Sequence, residues 1–435
     1  MNMSPTMVVG LGDTGVSVIR HLRLKDSEVS VCDSRLGKRT NEVPHLVEVR
    51  RDYPDVCVVP PRKFARAVAR AKRVVASPGI GLDDTLLKFA TIERVPIVGD
   101  IDLFMEEVDV PVIGITGTNG KSTTAMLVGA MLQPDGFIVC GNIGIPVLDA
   151  LDSGAKGFVV ELSSFQLERL QIARFDVAAI TNIAEDHLDR HKSMLDYISS
   201  KRRVYDHCSF AVFNGQDDNT DPGEATDSIA INRSPDWSVL DDGVVLDGKF
   251  ISSDGIAVKG RHNRFNLVMA AAIASRFGAT SEVIREVASS FSGLGHRNQF
   301  VARVEGVDYF NDSKATNVAA SVASIASMTQ ESNNLILIAG GDGKDADFKE
   351  LGETIDRHVS YLVLIGRDAQ KIADCTKRVD HSIASSMDEA VWMAHKHAER
   401  GDCVLLAPAC ASFDMFRNFE HRGTAFVNAV AELRS

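Results

Sequence analysis

Short runs of apolar, mostly β-branched residues recur along this chain, and several stop at a Gly, Ser, Thr, Asp or Asn just ahead of a segment with helical spacing. The runs are Thr6–Gly10, Val29–Asp33, Arg73–Ser77, Val110–Thr116, Phe158–Leu162, Val177–Asn182, Leu335–Gly340, Val359–Ile365 and Val404–Pro408. Apolar strands that alternate with helices are covered on both faces, as in parallel sheets built from βαβ units. The sequence therefore predicts an α/β chain whose ligands sit where strands end and helices begin.

Two of these strand ends carry phosphate-type loops. Gly10-Leu11-Gly12-Asp13-Thr14-Gly15 matches G-x-G-x-x-G between a strand and a helix, with Asp33 ending the next strand. Glycines let a diphosphate approach the backbone, and the helix start favours an anion. A nicotinamide or flavin dinucleotide would fit, a UDP-sugar fits equally, and a tight turn with no ligand is the plain alternative. Arg35 stands ready to read a phosphate or a uracil edge. The second loop, Gly117-Thr118-Asn119-Gly120-Lys121-Ser122-Thr123, follows the strand Val112–Ile115. Its N–H groups would cradle ATP phosphates, Lys121 would reach the β- and γ-phosphates, and Ser122 would meet Mg²⁺. A strict G-x-x-x-x-G-K-S would need glycine at the position of Ile115, so this is a shortened form.

Three blocks follow from the pattern. The first runs to about Pro96, and the second opens at Val110–Ser122. The tail of the second, Asp217–Lys259, is rich in Asp, Gly and Ser and is expected to form small antiparallel strands or loops. The third starts near Gly293–His296. A chain of 435 residues accommodates this, since domains hold roughly 100–200 residues each. The net charge of −12 excludes a broad nucleic-acid surface, which needs a basic face. Seven scattered cysteines with no C-x-x-C pair give no disulfide framework or zinc site and suit a reducing compartment. The N-terminus has no signal-peptide pattern, and no apolar stretch reaches the ~20 residues that span a bilayer.

Other chemical residues gather at strand ends. Glu161 closes Phe158–Val160 and could hold Mg²⁺; a surface charge is the plain alternative. His187, in Asp186-His187-Leu188-Asp189-Arg190-His191, could ligate a metal or be structural. Lys201 reads by default as a solvated helical lysine. Asn311–Asn317, Gly340–Lys344 and Ala409–Asp414 each follow a strand in the third block and together suggest a composite site.

Taken together, Gly117–Thr123, Glu161–Gln166, Glu185–His187, Gly260–Asn266, His296-Arg297, Asn311–Asn317, Gly340–Lys344 and Ser412–Gly423 resemble the Mur ligase family, from Gly10 to Phe426. The resemblance implies three domains: a Rossmann-like substrate domain (1–97), a central P-loop-type ATPase domain (98–294) and a Rossmann-like C-terminal domain (295–435). It implies an ATP-dependent amide ligase of the D-glutamate-adding branch. UDP-N-acetylmuramoyl-L-alanine would be phosphorylated to an acyl phosphate, and D-glutamate would then displace phosphate. ATP and two Mg²⁺ would be needed, with a monomer acting in the cytoplasm and inserting in no membrane.

By matched position, Gly117, Thr118, Asn119, Gly120, Lys121, Ser122 and Thr123 would serve ATP, as would Asn263, Asn266, Arg297 and Asp312. Ser122, Glu161, His187 and a carbamylated Lys201 would hold metal, with Lys314 near the phosphates. Lys121, His187, Lys201 and Lys314 would form the catalytic set. Thr14, Asp33, Ser34, Arg35, Ser77 and Gly79 would hold UDP, and Asn142, Ser163 and Gln166 the muramoyl-alanine. Thr316, Lys344, Ser412 and Phe419 would bind D-glutamate. Three departures stand out: Asp13 where an apolar residue is common, Gly295 in place of proline, and Asn298-Gln299. The competing readings are another Mur or folylpolyglutamate-type ligase, a nicotinamide dehydrogenase and a non-catalytic nucleotide sensor.

Overall fold

The computed structural model describes residues 5–36, 43, 45–172, 174–224, 226–258, 260–291, 293, 295–328, 334–344 and 346–434. Each expected apolar run contains a strand, with ends shifted by one or two residues. The chain divides into two compact units. One comprises Met1–Ile183, Leu195–Trp237 and Met269–Val283; the other comprises Ala184–Met194, Ser238–Val268 and Ile284–Ser435.

The first unit holds two parallel sheets. In the five-stranded sheet the order is Cys57–Val58, Val29–Cys32, Thr6–Val9, Arg73–Ala76, Ile97–Val98. Thr6 pairs with Val29 on one side and Arg73 on the other. The strand order therefore reverses at Thr6–Val9, and the crevice beyond such a reversal is where open α/β sheets take ligands. Met7, Val9, Cys32, Phe64, Val74 and Leu87 pack one side of it.

The six-stranded sheet runs Ser228–Ile231, Phe210–Asn214, Val177–Ile180, Val112–Thr116, Gly157–Glu161, Phe137–Gly141. Ser228–Ile231 corrects the expectation for the Asp217–Lys259 tail: it pairs parallel with Phe210–Asn214 rather than antiparallel. Its Ser-Ile-Ala-Ile run is short and lies at the sheet edge, so local pattern carried little orientation signal. The expected antiparallel pairing does occur later in the same tail, between Gly243–Leu246 and Lys249–Ser252, which belong to the other unit. At the sheet's flanks, Phe277 meets Phe137 edge-on with centroids 5.3 Å apart, and the Arg276 guanidinium lies 4.1 Å over the Phe210 ring.

The second unit is built on a six-stranded sheet in the order Gln299–Val304, Val307–Asn311, Cys403–Leu406, Leu335–Gly340, Tyr361–Ile365, His381–Ala384. The first two strands form an antiparallel hairpin; the others run parallel. Side chains alternate across it as strand geometry requires. Leu335, Leu337, Leu362, Leu364 and Leu405 pack one layer, and Ile336, Ile338, Val363, Ile365 and Leu406 the other. Both faces are covered, as the continuous apolar runs predict. The seven cysteines are free. Among the described residues no helix is long and apolar enough to cross a membrane.

Candidate active site

In the first unit, a cavity of about 660 Å³ opens at the strand-order reversal. Thr14, Asp33, Ser34, Arg35, Ser77, Gly79, Asn142 and Gln166 all line it. The Gly-rich turn is tight enough to demand its glycines: a Cβ on Gly15 would lie 2.0 Å from the Gly10 carbonyl oxygen. Asp33 braces this turn. It accepts from the Leu11 N–H at 3.0 Å, from the Arg35 N–H at 3.0 Å and from Arg35 Nε at 2.8 Å. Burial pushes its acid up, but the Arg35 guanidinium and the two backbone N–H groups outweigh that and hold it below the usual carboxylate range. A dinucleotide fold keeps this acid for ribose; here Arg35 and Leu11 use it. Asp13 pairs with His45 Nε2 at 2.8 Å and is otherwise exposed. Ser163 caps the helix Ser164–Leu167, accepting from the Gln166 N–H at 3.2 Å while Gln166 Oε1 accepts from the Ser163 N–H at 3.1 Å. That capping box fixes the direction of Gln166.

The loop Gly117–Thr123 lies between the ends of two neighbouring strands. Asn182 O accepts from the Thr118 N–H at 2.8 Å, Asn182 Oδ1 from the Asn119 N–H at 3.0 Å, and the Thr181 hydroxyl donates to Asn119 O at 2.6 Å. Gly117 has φ +144°, and a Cβ there would meet Thr181 Oγ1 at 1.9 Å. Gly120 closes the loop, and the helix Lys121–Leu132 begins. Lys121 Nζ donates to Thr118 O at 2.8 Å. Lys201 is almost fully buried, donates to Gly117 O at 2.6 Å and stands 4.6 Å over the Tyr197 ring. The default reading of Lys201 as a solvated lysine is thus corrected: its helix turns it under the loop.

Glu161 stands on the strand beside the loop strand, at the level of Ile115. It is 2% exposed. Oε1 accepts from Asn142 Nδ2 at 2.8 Å, and Oε2 is buried without a hydrogen-bond partner. An orphaned carboxylate oxygen beside a phosphate loop suits a hard cation, which takes oxygen ligands. Among the described residues no three His, Cys, Asp or Glu side chains converge as a ready metal site. The fit therefore rests on Glu161 together with the Ser122 hydroxyl. Asn142 does double duty: it lines the cavity and holds the Glu161 carboxylate.

In the second unit, a smaller cavity of about 360 Å³ is lined by Asp186, His187, Thr316, Asn317 and Lys344, among others. Asp186 organises it, accepting from Lys344 Nζ at 3.3 Å and Asn317 Nδ2 at 3.2 Å. Burial pushes the Asp186 acid up, but His187, Lys344 and Asn317 outweigh that and lower it. Asp186 was not assigned a role from sequence; its place next to His187 was the available signal. Ser412 and Phe419 do not line this cavity. Ser412 is buried, and the Phe419 ring carries Lys314 Nζ 3.8 Å from its centroid. Arg422, also missed, is buried and binds Ser313 Oγ, Ser313 O and Cys410 O, tying the Ser313 and Cys410 loops together. Asn263 and Asn266 lie one turn apart on the helix Arg261–Ser275, with Asn266 Nδ2 3.4 Å from Asn263 Oδ1.

Asp312 follows the strand Val307–Asn311, and burial pushes its acid up to about 6, although Ser324 and the Arg297 charge pull it back. Its folded value exceeds the unfolded one, so ionisation opposes folding. That penalty is absent near pH 4, grows as pH rises and is complete above about 6. Asp312→Asn is expected to match the parent's Tm near pH 4 and exceed it by a few degrees at pH 7.5. Thermal melts across that range check this, and a gain that shrinks with rising pH would contradict it.

Comparison with known proteins covers the whole chain. The MurD-like N-terminal domain of Mur ligases matches residues 4–99, the Mur ligase middle domain 115–274 and the Mur ligase glutamate ligase domain 296–410. The UDP-N-acetylmuramoylalanine–D-glutamate ligase of Teredinibacter turnerae is 41% identical, with 98% of this chain and 97% of that protein aligned. The ligase of the same name from Marinobacter nauticus is 42% identical, over 98% of each. Among solved structures, a pseudomurein peptide ligase type C from Methanothermus fervidus superposes with TM-score 0.63 at 17% identity, covering 98% of this chain and all of that one. MurF ligase from Thermotoga maritima in complex with ADP gives 0.63 at 14% identity, over 99% and 96%. These two share the fold. Loops, sheets and relatives agree along the length of the chain, and it belongs to the Mur ligase family.

Proposed function

We propose that this chain joins D-glutamate to UDP-N-acetylmuramoyl-L-alanine in an ATP-dependent amide ligation within peptidoglycan precursor synthesis, in the cytoplasm and as a monomer. The observation that carries this most directly is the Asn142–Glu161 hydrogen bond, which joins the sugar-nucleotide cavity to the carboxylate beside the ATP loop. Relatives near 40% identity over nearly the whole chain bear the name of that activity.

Gly10–Thr14 and Ser34–Arg35 take the uridine diphosphate, with Ser77 and Gly79. Asn142, Ser163 and Gln166 orient the muramoyl-alanine so that its carboxylate faces the ATP loop. The amides of Gly117–Thr123 cradle the phosphates, and Lys121 leaves Thr118 O to reach the transferring one. A carboxylate is a poor acyl donor; phosphorylation gives it a leaving group, so positioning and charge neutralisation do most of the catalysis. Mg²⁺ held by Ser122 and Glu161 would supply charge neutralisation on the phosphates. His187 stays a proposed ligand for a second Mg²⁺ on its sequence pattern, as do Asn263, Asn266, Arg297 and Asp312 for the nucleoside and Lys314 for the phosphates. Lys344 and Thr316, which line one cavity, are proposed for the D-glutamate carboxylates; Ser412 and Phe419 rest on pattern alone.

Lys201 is proposed to carry a carbamate. A carbamate would exchange the ammonium for an anion whose oxygens suit a hard cation. A ¹³C NMR spectrum of the folded protein in ¹³C-bicarbonate buffer is expected to show a carbamate carbon signal that is absent in Lys201→Arg; its absence in the parent protein rejects the modification.

The deciding experiment is phosphate release from ATP with UDP-N-acetylmuramoyl-L-alanine and either D-glutamate, L-glutamate or no amino acid. Release with D-glutamate alone, with the peptide product, supports the reading. No release from protein that still binds ATP sinks it.

A further inference from the structure

Asp100 opens the helix Asp100–Met105 and lines the larger cavity. It is 4% exposed. Oδ2 accepts from Gln166 Nε2 at 3.2 Å, while Oδ1 is buried and has no hydrogen-bond partner. A buried polar atom left unsatisfied is destabilising, and more so when it is charged. The charge of Arg169 does not relieve it. Arg169 acts on Asp100 through charge alone, because its N–H groups go to the carbonyls of Phe165, Ala76, Ser77 and Ile80 and to Glu168 Oε1. Asp100 therefore lines the cavity with Oδ2 held by Gln166 and Oδ1 without a well-formed hydrogen bond, only its own N–H and that of Ile101 acting on the carboxylate from the backbone.

We propose that Asp100 Oδ1 accepts a hydrogen bond from an N–H or O–H group on the sugar–peptide part of the sugar nucleotide, which makes Asp100 a specificity-determining residue for that substrate. This rests on the substrate reading above. The sugar–peptide side is indicated because Asp100 is bonded to Gln166, and Gln166 is boxed with Ser163. The uridine diphosphate side, Gly10–Thr14 and Asp33–Arg35, makes no such bond to it. Burial pushes the Asp100 acid up, against Gln166, nearby backbone N–H groups and Arg169. That cost is what an arriving donor would relieve.

The test is calorimetric binding of UDP-N-acetylmuramoyl-L-alanine, of UDP and of ATP with Mg²⁺ to the full-length protein and to Asp100→Asn. Asparagine keeps the shape and an oxygen for Gln166, but puts an NH₂ donor in place of Oδ1. The conjugate is expected to bind the variant roughly tenfold more weakly or worse. UDP and ATP, which report that both sites remain folded, should stay within about twofold. Conjugate binding unchanged in the variant overturns the assignment. Equal weakening of UDP and conjugate also overturns it, because the cavity as a whole would then have lost its shape. Failure of the unmodified protein to bind the conjugate while it binds UDP is a different result: it sinks the substrate reading, and the assignment with it.

Discussion

Lys121→Met should lower turnover by about a thousandfold and leave the affinity for the sugar nucleotide unchanged. Removing one preorganised donor from a charge-stabilising site typically costs 10²–10³ in rate, and phosphoryl transfer depends almost wholly on such groups. Lys121 begins the helix after the loop, and its ammonium already turns into the loop to meet Thr118 O at 2.8 Å. Methionine keeps the unbranched stem, so the backbone cradle formed with Thr181 and Asn182 stays. The cavity lined by Thr14, Asp33 and Gln166 has no part in the change. Single-turnover phosphate release, paired with calorimetry for each substrate, checks both halves. A rate within about tenfold of the parent would remove Lys121 from the catalytic set.

The second large effect concerns stability. Arg169→Met is expected to cost about 3–5 kcal/mol, because it strips several buried acceptors of one shared donor. The side chain is 1% exposed. Nη1 donates to Ala76 O at 3.0 Å and Ser77 O at 2.9 Å, Nη2 to Ile80 O at 2.6 Å, and Nε to Phe165 O at 3.1 Å. The guanidinium thus pins the Ser77–Ile80 turn of the five-stranded sheet's region to the segment that carries Gln166. Lysine should rescue little, since a point charge cannot serve a planar fork of carbonyls. Urea unfolding of both variants measures the loss. The KM for the sugar nucleotide should rise alongside, because Ser77 and Gly79 lose their anchor. A loss below about 1 kcal/mol would mean that the carbonyls find water instead.

The parts of the molecule that sequence conveyed are those with local causes. Val112–Thr116 and Leu335–Gly340 are continuous apolar runs, because each is buried on both faces, and the turn glycines follow directly. Cys57–Val58, Ile97–Val98 and His381–Ala384 went unnoticed: they are short and only partly buried at sheet edges, where little apolar pattern is required. Phe210–Asn214 also went unnoticed, although it is as long as several of the recognised runs.

The cavity tells a similar story. Thr14, Asp33, Arg35 and Asn142 sit in or beside recognisable turns, and the structure brings them together. Asp100, Arg169 and Arg422 look like surface charges in a sequence. Their meaning comes from partners far along the chain, such as Gln166, Ser77 and Ser313, and only folding supplies those. Ser412 and Phe419 show the reverse: a motif marked them, and they do not line the cavity of Thr316 and Lys344.

The division of the chain into interleaved units bears on how it emerges from the ribosome. The first unit is unfinished when its last strand, Ser228–Ile231, has been made, since Met269–Val283 still belongs to it. Until Arg276 and Phe277 arrive, the Phe210 and Phe137 rings on the sheet lack their covers. Translation adds about 5–20 residues per second, so the nascent chain carries that uncovered aromatic surface for several seconds. Chaperone capture should peak in that interval, and pausing codons between the sheet and this segment would prolong it.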